Sequence, residues 1–214
     1  QVLGAVNRSA GPEDIVVCAA GGLPGELHKL WRVQRPGTYH LEYGYSCMGY
    51  EIAGGLGAKL AAPEHEVFVL VGDGSYLMMN SEIATSIQLG RKLVIVVLDN
   101  GGFGCIDRLQ AAVGGASFNN LFAAGSGVDF AAHAASLGAA ARAASGIAEL
   151  EAALSAARKE TRTTVVVIRT DPRASTAAGG AWWEVAVPEV SARPEVATAR
   201  TAYDSARRTQ RQSS

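Results

Sequence analysis

Apolar residues gather in short runs bounded by polar and glycine-rich turns. Residues 15–20 (IVVCAA) stop at Gly21-Gly22, and 66–71 (EVFVLV), 93–98 (LVIVVL) and 163–168 (TTVVVI) share their composition. Such runs, rich in β-branched residues and apolar at consecutive positions, mark strands covered on both faces. Residues 38–43 (TYHLEY) have strand composition, and 139–144 form a further short candidate. Between them lie helical stretches at 46–62, 80–89, 129–137 and 146–158. Asp129 caps the third and Gly138 ends it; in the fourth, Ile147, Leu150 and Leu154 share one face. Strand, helix, strand with continuous apolar strands means a parallel βαβ unit. The expectation is an α/β protein: a doubly wound, mostly parallel six-stranded sheet with right-handed crossovers. Gly54, Gly55 and Gly57 weaken the helix at 46–62 by roughly 1 kcal/mol each against Ala, so a packing reason must hold them there.

The pattern changes at residue 171. Residues 1–170 read as one domain and 171–214 as a tail that packs on that domain or on a partner. The tail runs through an Ala-, Gly- and Ser-rich loop, Trp182-Trp183, Pro188 and Pro194, and ends in a helix from about 195 to 208. At 214 residues, 48% hydrophobic and 18% charged, the chain can bury one sizeable core. Nineteen basic against twenty acidic residues leave a net charge of −1, which argues against nucleic acid or an anionic membrane surface as partner. The apolar runs fall far short of the ~20 residues that cross a bilayer, so a soluble protein is expected. Cys18, Cys47 and Cys105 form neither a disulfide framework nor a metal-binding pair, and read as reduced thiols in a cytoplasmic setting. The chain starts at Gln1 with no visible secretory signal, and is expected to be a piece of something longer.

The chemistry concentrates in two strand ends. Val71-Gly72-Asp73-Gly74-Ser75 closes one buried strand and Leu98-Asp99-Asn100-Gly101-Gly102 closes the next. In a parallel sheet both carboxyl ends lie on one edge, where open α/β folds place their ligands. Asp73 and Asn100 then stand side by side as a carboxylate and an amide oxygen, the kind of donors Mg²⁺ takes together with phosphate oxygens and water. Glycines let backbone groups approach a phosphate or the ion without a Cβ in the way. Either motif alone is also an ordinary turn sequence. Together, each after a buried strand and before a helix, they point to a metal-bridged diphosphate.

At this point the residues match a family. GDGSYLMMNSEIATSIQLGRKLVIVVLDN, followed by GGFG, resembles the diphosphate and Mg²⁺ signature of the thiamine-diphosphate enzymes, and the chain resembles their C-terminal, pyrophosphate-binding domain. The resemblance implies metal ligands at Asp73, Asn100 and the Gly102 carbonyl. It implies diphosphate contacts from Gly74 and Ser75 amides and from Gly21, Gly22 and Leu23, with Gly72, Phe103 and Gly104 completing the cofactor loops. Gly44 to Tyr50 (GYSCMGY) is similar to the segment beneath the bent cofactor, which places Ser46 there and puts Met48 between the two cofactor rings. From the residues alone, Met48 reads more readily as core filler than as cofactor support.

Longer strings, AAGGLPGELHKLWR, YHLEYGYSCMGYEIAGGLGAKLA, NGGFGCIDRLQ, GGASFNN and GGAWWEVAVPEVS, resemble the branch of this superfamily that serves inositol catabolism. That resemblance implies a small cyclic 1,2-dione as substrate and hydrolytic C–C cleavage to 5-deoxyglucuronate. It also implies an activating glutamate supplied by an N-terminal pyrimidine-binding domain of the same or a partner chain, within a homodimer or homotetramer. Glu42, Glu51 and Glu82 sit in segments of the present domain and do not take that role, so the catalytic residue is expected outside this chain. Two alternatives stand beside this reading: an acetohydroxyacid synthase or 2-oxoacid decarboxylase type of domain, and a truncated, non-catalytic cofactor-binding or assembly module. His28 and His40 lie near the binding edge, as polyol contacts or as structural residues; His65 and His133 read as structural. Cys47 and Cys105 read as small buried residues. Trp182 and Trp183 either seal the site or pack against it. Gly54-Gly55-Leu56-Gly57 lies inside a helix, so it is not a dinucleotide fingerprint.

Overall fold

Successive residues of a strand face opposite sides of a sheet, and here both sides are covered. The computed structural model describes residues 1–122, 127–176 and 185–210. Strands β1 (Ile15–Cys18), β2 (Tyr39–Leu41), β3 (Val67–Gly72), β4 (Val94–Asp99), β5 (Ala140–Ala144) and β6 (Thr164–Arg169) form one sheet in the order β2-β1-β3-β4-β6-β5. Every pairing is parallel. Val94 and Val96 of β4 face one core with Val16, Phe68, Leu70 and Val166, whereas Ile95 and Val97 face the other with Val17, Val69, Val71 and Val165. A strand wanted by two cores has no polar face to alternate with, hence the unbroken apolar runs.

Helices α1 (Val2–Ser9), α2 (Leu23–Leu30) and α8 (Ile147–Lys159) cover the first face through Leu3, Val6, Leu27, Leu150 and Leu154. Helices α3 (Tyr50–Ala61), α5 (Glu82–Gln88) and α7 (Phe130–Ser136) cover the second through Ile52, Leu56, Ile83, Phe130 and Ala134. The Asp129 cap forms as expected, its carboxylate accepting from the Ala132 amide at 2.9 Å. Between the strand ends and these layers lie α4 (Asp73–Met78) and α6 (Gly104–Ala112). The expected helix at 46–62 starts later, at Tyr50, and that at 80–89 shrinks to Glu82–Gln88. The chain moves from β1 outward to β2, then returns to place β3 on β1's other side. That reversal is a topological switch point, where the loops after β1 and β3 diverge and leave a crevice.

Beyond β6 the chain returns to the body. Helix α9 (Pro194–Thr209) buries Val196, and Arg193 Nε donates to the Gly114 carbonyl at 3.1 Å, seating the helix on the turn after α6. Trp182 and Trp183 lie outside the described residues. Among the described residues no helix is long and apolar enough to cross a membrane.

The glycines of α3 separate cleanly. A Cβ on Gly55 would lie 2.4 Å from Val69 Cγ2, and one on Gly54 would lie 2.4 Å from the Tyr50 ring, whereas Gly57 faces open space. Gly55 is therefore the contact by which α3 lies close on the sheet, and nothing in the structure explains Gly57. Gly55→Ala should destabilise the chain by about 1–3 kcal/mol through overpacking. Gly57→Ala should stabilise it by about 0.5–1 kcal/mol through helix propensity. Urea denaturation of the two variants checks both, and equal effects of the same sign would remove the packing argument.

Candidate functional site

Strand register brings the two loops together. Gly72 of β3 pairs with Leu98 of β4, so the chain leaves both strands at the same level, with Asp73 one residue beyond and Asn100 two residues beyond. Asp73 is the first residue of α4 and is 1% exposed; its Oδ2 accepts the Gly102 amide at 2.7 Å. Gly102 has φ +135, and a Cβ there would meet the Asn120 carbonyl at 2.6 Å, so only glycine fits. Residues 120–122 pin the loop from outside: Phe103 N–H donates to Asn120 O and Phe122 N–H to Gly101 O, both at 2.7 Å.

Two oxygens in this corner, Asp73 Oδ1 and Asn100 Oδ1, are buried with no hydrogen-bond donor. Leaving a buried acceptor unsatisfied costs about 1–3 kcal/mol, more for a charged group. Burial drives the Asp73 pKa up to about 6, against the pull of the Gly102 and Gly74 amides; nearby Asp99 adds to the rise. A third orphan oxygen, Glu66 Oε1, lies before β3 at the far end of the sheet, and its carboxyl partner already pairs with Lys92 at 2.8 Å. Among the described residues no three His, Cys, Asp or Glu side chains cluster. An ion in this corner would thus meet one carboxylate, one amide oxygen and main chain, a set that suits a hard cation keeping some water rather than zinc.

The corner opens into a cavity of about 660 Å³ at the switch point, within the range of small-ligand sites. The loop after β1 contributes Gly21 and Gly22, and the start of α2 contributes Leu23; the β3–α4 junction contributes Gly72, Asp73, Gly74 and Ser75. Asn100, Gly102, Phe103 and Gly104 line it from the β4 side, and half-buried Met48 from the segment before α3. Of the residues expected at the site, Ser46 is absent from the lining: it is exposed, with φ +52, in the turn held by Glu42, which accepts the Tyr45 and Cys47 amides. Phe103 lies on Gly74, where a Cβ would come within 2.8 Å of its ring, so the glycine brings the β4 loop down onto α4.

The structure also adds residues that the motifs do not mark. Arg108 reaches the cavity from α6, beside Gly22, and donates to the Pro172 carbonyl. Thr176 donates its amide and hydroxyl to Glu26 of α2, the hydroxyl at 2.6 Å, so the segment after β6 is tied across the cavity wall. Glu51, 1% exposed behind the lining, accepts from Ala20, Gly49 and Ser75. Its one sequence signal is a lone carboxylate in an otherwise small and apolar stretch. His28 and His40 do not line the cavity; they pair with Tyr39 and Tyr50 at 3.2 and 2.6 Å. His133 pairs with Tyr76 at 2.9 Å, and His65 with the Glu13 carbonyl. Cys47 is exposed rather than buried, because the Glu42-held turn projects from the body; Cys105 lines the cavity.

Residues 19–168 match the family model for the thiamine pyrophosphate enzyme, C-terminal TPP binding domain. The chain belongs to this family. It is 45% identical over 204 residues to the 3D-(3,5/4)-trihydroxycyclohexane-1,2-dione hydrolase of Bacillus licheniformis, covering 94% of this chain and 32% of that protein. The enzyme of the same name from Halalkalibacterium halodurans is 45% identical over 193 residues, 88% of this chain and 30% of that one. The chain thus spans about a third of the length of the curated relatives it matches. Two solved structures share the fold. The thiamine diphosphate-dependent 4-hydroxybenzoylformate decarboxylase of Rhodococcus jostii RHA1 superposes with a TM-score of 0.74 at 22% identity, over 80% of this chain and 32% of that one. The benzoylformate decarboxylase of Polynucleobacter necessarius gives 0.71 at 20%, with the same coverage.

The raised pKa of Asp73 is a statement about stability. A carboxyl that titrates at about 6 when folded and 3.8 when unfolded binds its proton more tightly in the native state. Its ionisation therefore penalises the fold; the penalty is absent below pH 4 and complete above pH 6. In the metal-free chain, Asp73→Asn should raise stability at pH 7 by about 1–3 kcal/mol. The gain over wild type should vanish by pH 4, as checked by denaturation at both pH values; a variant less stable at pH 7 would show that the carboxylate is not strained.

Proposed function

We propose that this chain is the Mg²⁺- and thiamine-diphosphate-binding part of a hydrolase that opens trihydroxycyclohexane-1,2-dione by C–C cleavage, giving 5-deoxyglucuronate in inositol catabolism. The observation that carries the cofactor reading is the buried, donorless oxygens Asp73 Oδ1 and Asn100 Oδ1 on two residues that line a glycine-rich cavity. Mg²⁺ would be held by Asp73, Asn100 and the Gly102 carbonyl. The backbone at Gly21, Gly22, Leu23, Gly72, Gly74 and Ser75 would face the diphosphate; the Ser75 hydroxyl is engaged with Glu51, which leaves its amide for that purpose. Met48 and Phe103 present the apolar surface, and Gly104 leaves room beside the Asn100 side chain, where a Cβ would lie 3.2 Å from Nδ2.

When bound, thiamine diphosphate would supply a nucleophilic carbon for carbonyl addition and an electron sink for C–C cleavage. The chain's own part is to fix the metal–diphosphate end and to exclude water from the apolar end of the cavity. The choice of the cyclic dione over a 2-oxoacid rests on 45% identity to the hydrolase across nearly the whole chain, against 22% to a decarboxylase that matches only in fold.

A second wall is part of the proposal. Tyr45, Met78 and Met79 are 91%, 54% and 45% exposed, and Met79 lies against Gly49, next to Met48 of the cavity lining. Exposed apolar side chains grouped beside a cofactor cavity support cover by a further domain. That domain would be the pyrimidine-binding one carrying the activating glutamate, from the same or a second chain of a homodimer or homotetramer. The setting is cytoplasmic.

Isothermal titration of the 214-residue chain with thiamine diphosphate should show weak binding that requires Mg²⁺. Asp73→Ala should weaken the metal-dependent binding at least tenfold; affinity unchanged by the variant or by chelator would remove the metal site. The chain alone should not open the dione, and a pyrimidine-binding domain added in trans should restore product formation. Turnover by the isolated chain would show that the glutamate is not required from outside.

A further inference from the structure

Glu51 is a carboxylate in an unusual place. It is 1% exposed, does not line the cavity, and has no basic side chain in ion-pair contact among the described residues. A charge buried this deeply survives only if hydrogen bonds replace its water. Three donors do so. The Ala20 amide reaches Oε1 at 3.1 Å, the Gly49 amide reaches Oε2 at 3.1 Å, and the Ser75 hydroxyl lies 2.8 and 2.7 Å from the two oxygens. Ser75 Oγ in turn accepts the Gly49 amide at 2.8 Å.

The donors come from three segments that are remote in sequence. Ala20 belongs to the loop after β1, Gly49 directly follows Met48, and Ser75 lies in the first turn of α4. Ala20, Met48 and Ser75 all line the cavity, each from a different wall. Gly49 sits at φ +90, a conformation that an L side chain rarely adopts, and its place at the head of α3 is held by this carboxylate and Ser75.

We propose that Glu51 is a positioning residue of the cofactor site: from behind the lining it ties the β1 loop, the Met48–Gly49 segment and the α4 turn into one cradle. The proposal rests on the cofactor reading above. Glu51 touches neither cofactor nor substrate; it fixes the spacing between backbone groups that do. Because all its partners are donors, the amide analogue is no substitute. Whichever way a glutamine is turned, its NH₂ faces either the Ala20 or the Gly49 amide, so one arm of the clasp is repelled.

The test compares wild type, Glu51→Gln and Ser75→Ala for Mg²⁺-dependent binding of thiamine diphosphate by isothermal titration, with circular dichroism and thermal melting on the same samples. Residues that orient the groups holding a ligand typically change affinity by about 10–100-fold. Glu51→Gln should weaken binding by at least tenfold in protein that remains folded, and Ser75→Ala, which keeps both backbone arms, should weaken it less. A purely structural role would lower the melting temperature and leave the dissociation constant of the folded protein unchanged, and that result would overturn the proposal. Should Glu51→Gln not fold, Ser75→Ala decides: folded protein with wild-type affinity overturns the clasp, and a lowered affinity supports it. A wild-type chain that binds no thiamine diphosphate at any Mg²⁺ concentration would overturn the cofactor reading itself, and the clasp with it.

Discussion

A carboxylate at the carboxyl edge of a parallel sheet, closed off from water, is under an electrostatic strain that donors, a cation or a proton can relieve. Asp73 is in that state. The Gly102 amide satisfies one oxygen, while the other, like the amide oxygen of Asn100, is buried without a donor. The sheet cannot relax the conflict, because β3 and β4 pair along five consecutive residues and fix the level at which both loops leave the core. Two faces of packed β-branched side chains hold that register, since a slip by one residue would turn every side chain of a strand to the wrong core. The rest of the site follows from this one constraint: glycines where chain must pass close, and a crevice at the switch point that they line.

The fold was legible where burial was total. Strands facing two cores leave an unbroken apolar record, so β1, β3, β4 and β6 emerge from composition alone, and Gly72-Asp73 and Asn100 follow from where those records stop. Legibility failed where structure depends on tertiary contact. Helix α4 starts in Asp73-Gly74-Ser75, poor helix formers, and is held by Tyr76, which is fully buried against Phe130 and His133 with ring centroids 5.5 and 5.6 Å apart. No local period announces that. Helix α2 begins with Leu23-Pro24-Gly25, and its register is visible only once Leu27 is seen in the core. Ser46 stands apart for another reason: its neighbours carry the motif, but it is exposed in the turn that Glu42 holds, outside the cavity lining. Arg108, Glu26 and Thr176 reach the cavity through contacts 64 and 150 residues apart in the chain, which no short motif encodes.

The two buried carboxylates divide the labour of the site by the geometry of their donors. Glu51 is enclosed by three N–H or O–H groups from three walls, so its charge is spent internally and its service is mechanical. Asp73, a residue of the cavity lining, keeps one buried oxygen without a donor, so its charge is not fully answered from within. Exchanging the environments would abolish both roles: a fully clasped Asp73 has nothing left for an ion, and an unclasped Glu51 leaves the Gly49 turn and the β1 loop unanchored.

The charge of the cradle is mixed rather than basic. Asp73 lines it with Asp99 close by, and of the two arginines on its wall Arg108 is engaged with the Pro172 carbonyl and Arg169 pairs with Asp99 at 3.5 Å. A bare diphosphate approaching such a surface meets like charge in a medium of low dielectric, where repulsion is much stronger than in water. A divalent ion held by the two orphan oxygens, as proposed above, would reverse the sign locally and favour a phosphate beside it. A basic pocket would take any anion, including ones with no metal. On the proposed reading, an acidic corner behind neutral glycine amides would admit an anion only in company with the cation, and the selectivity of the site would then be a property of its unsatisfied oxygens rather than of its net charge.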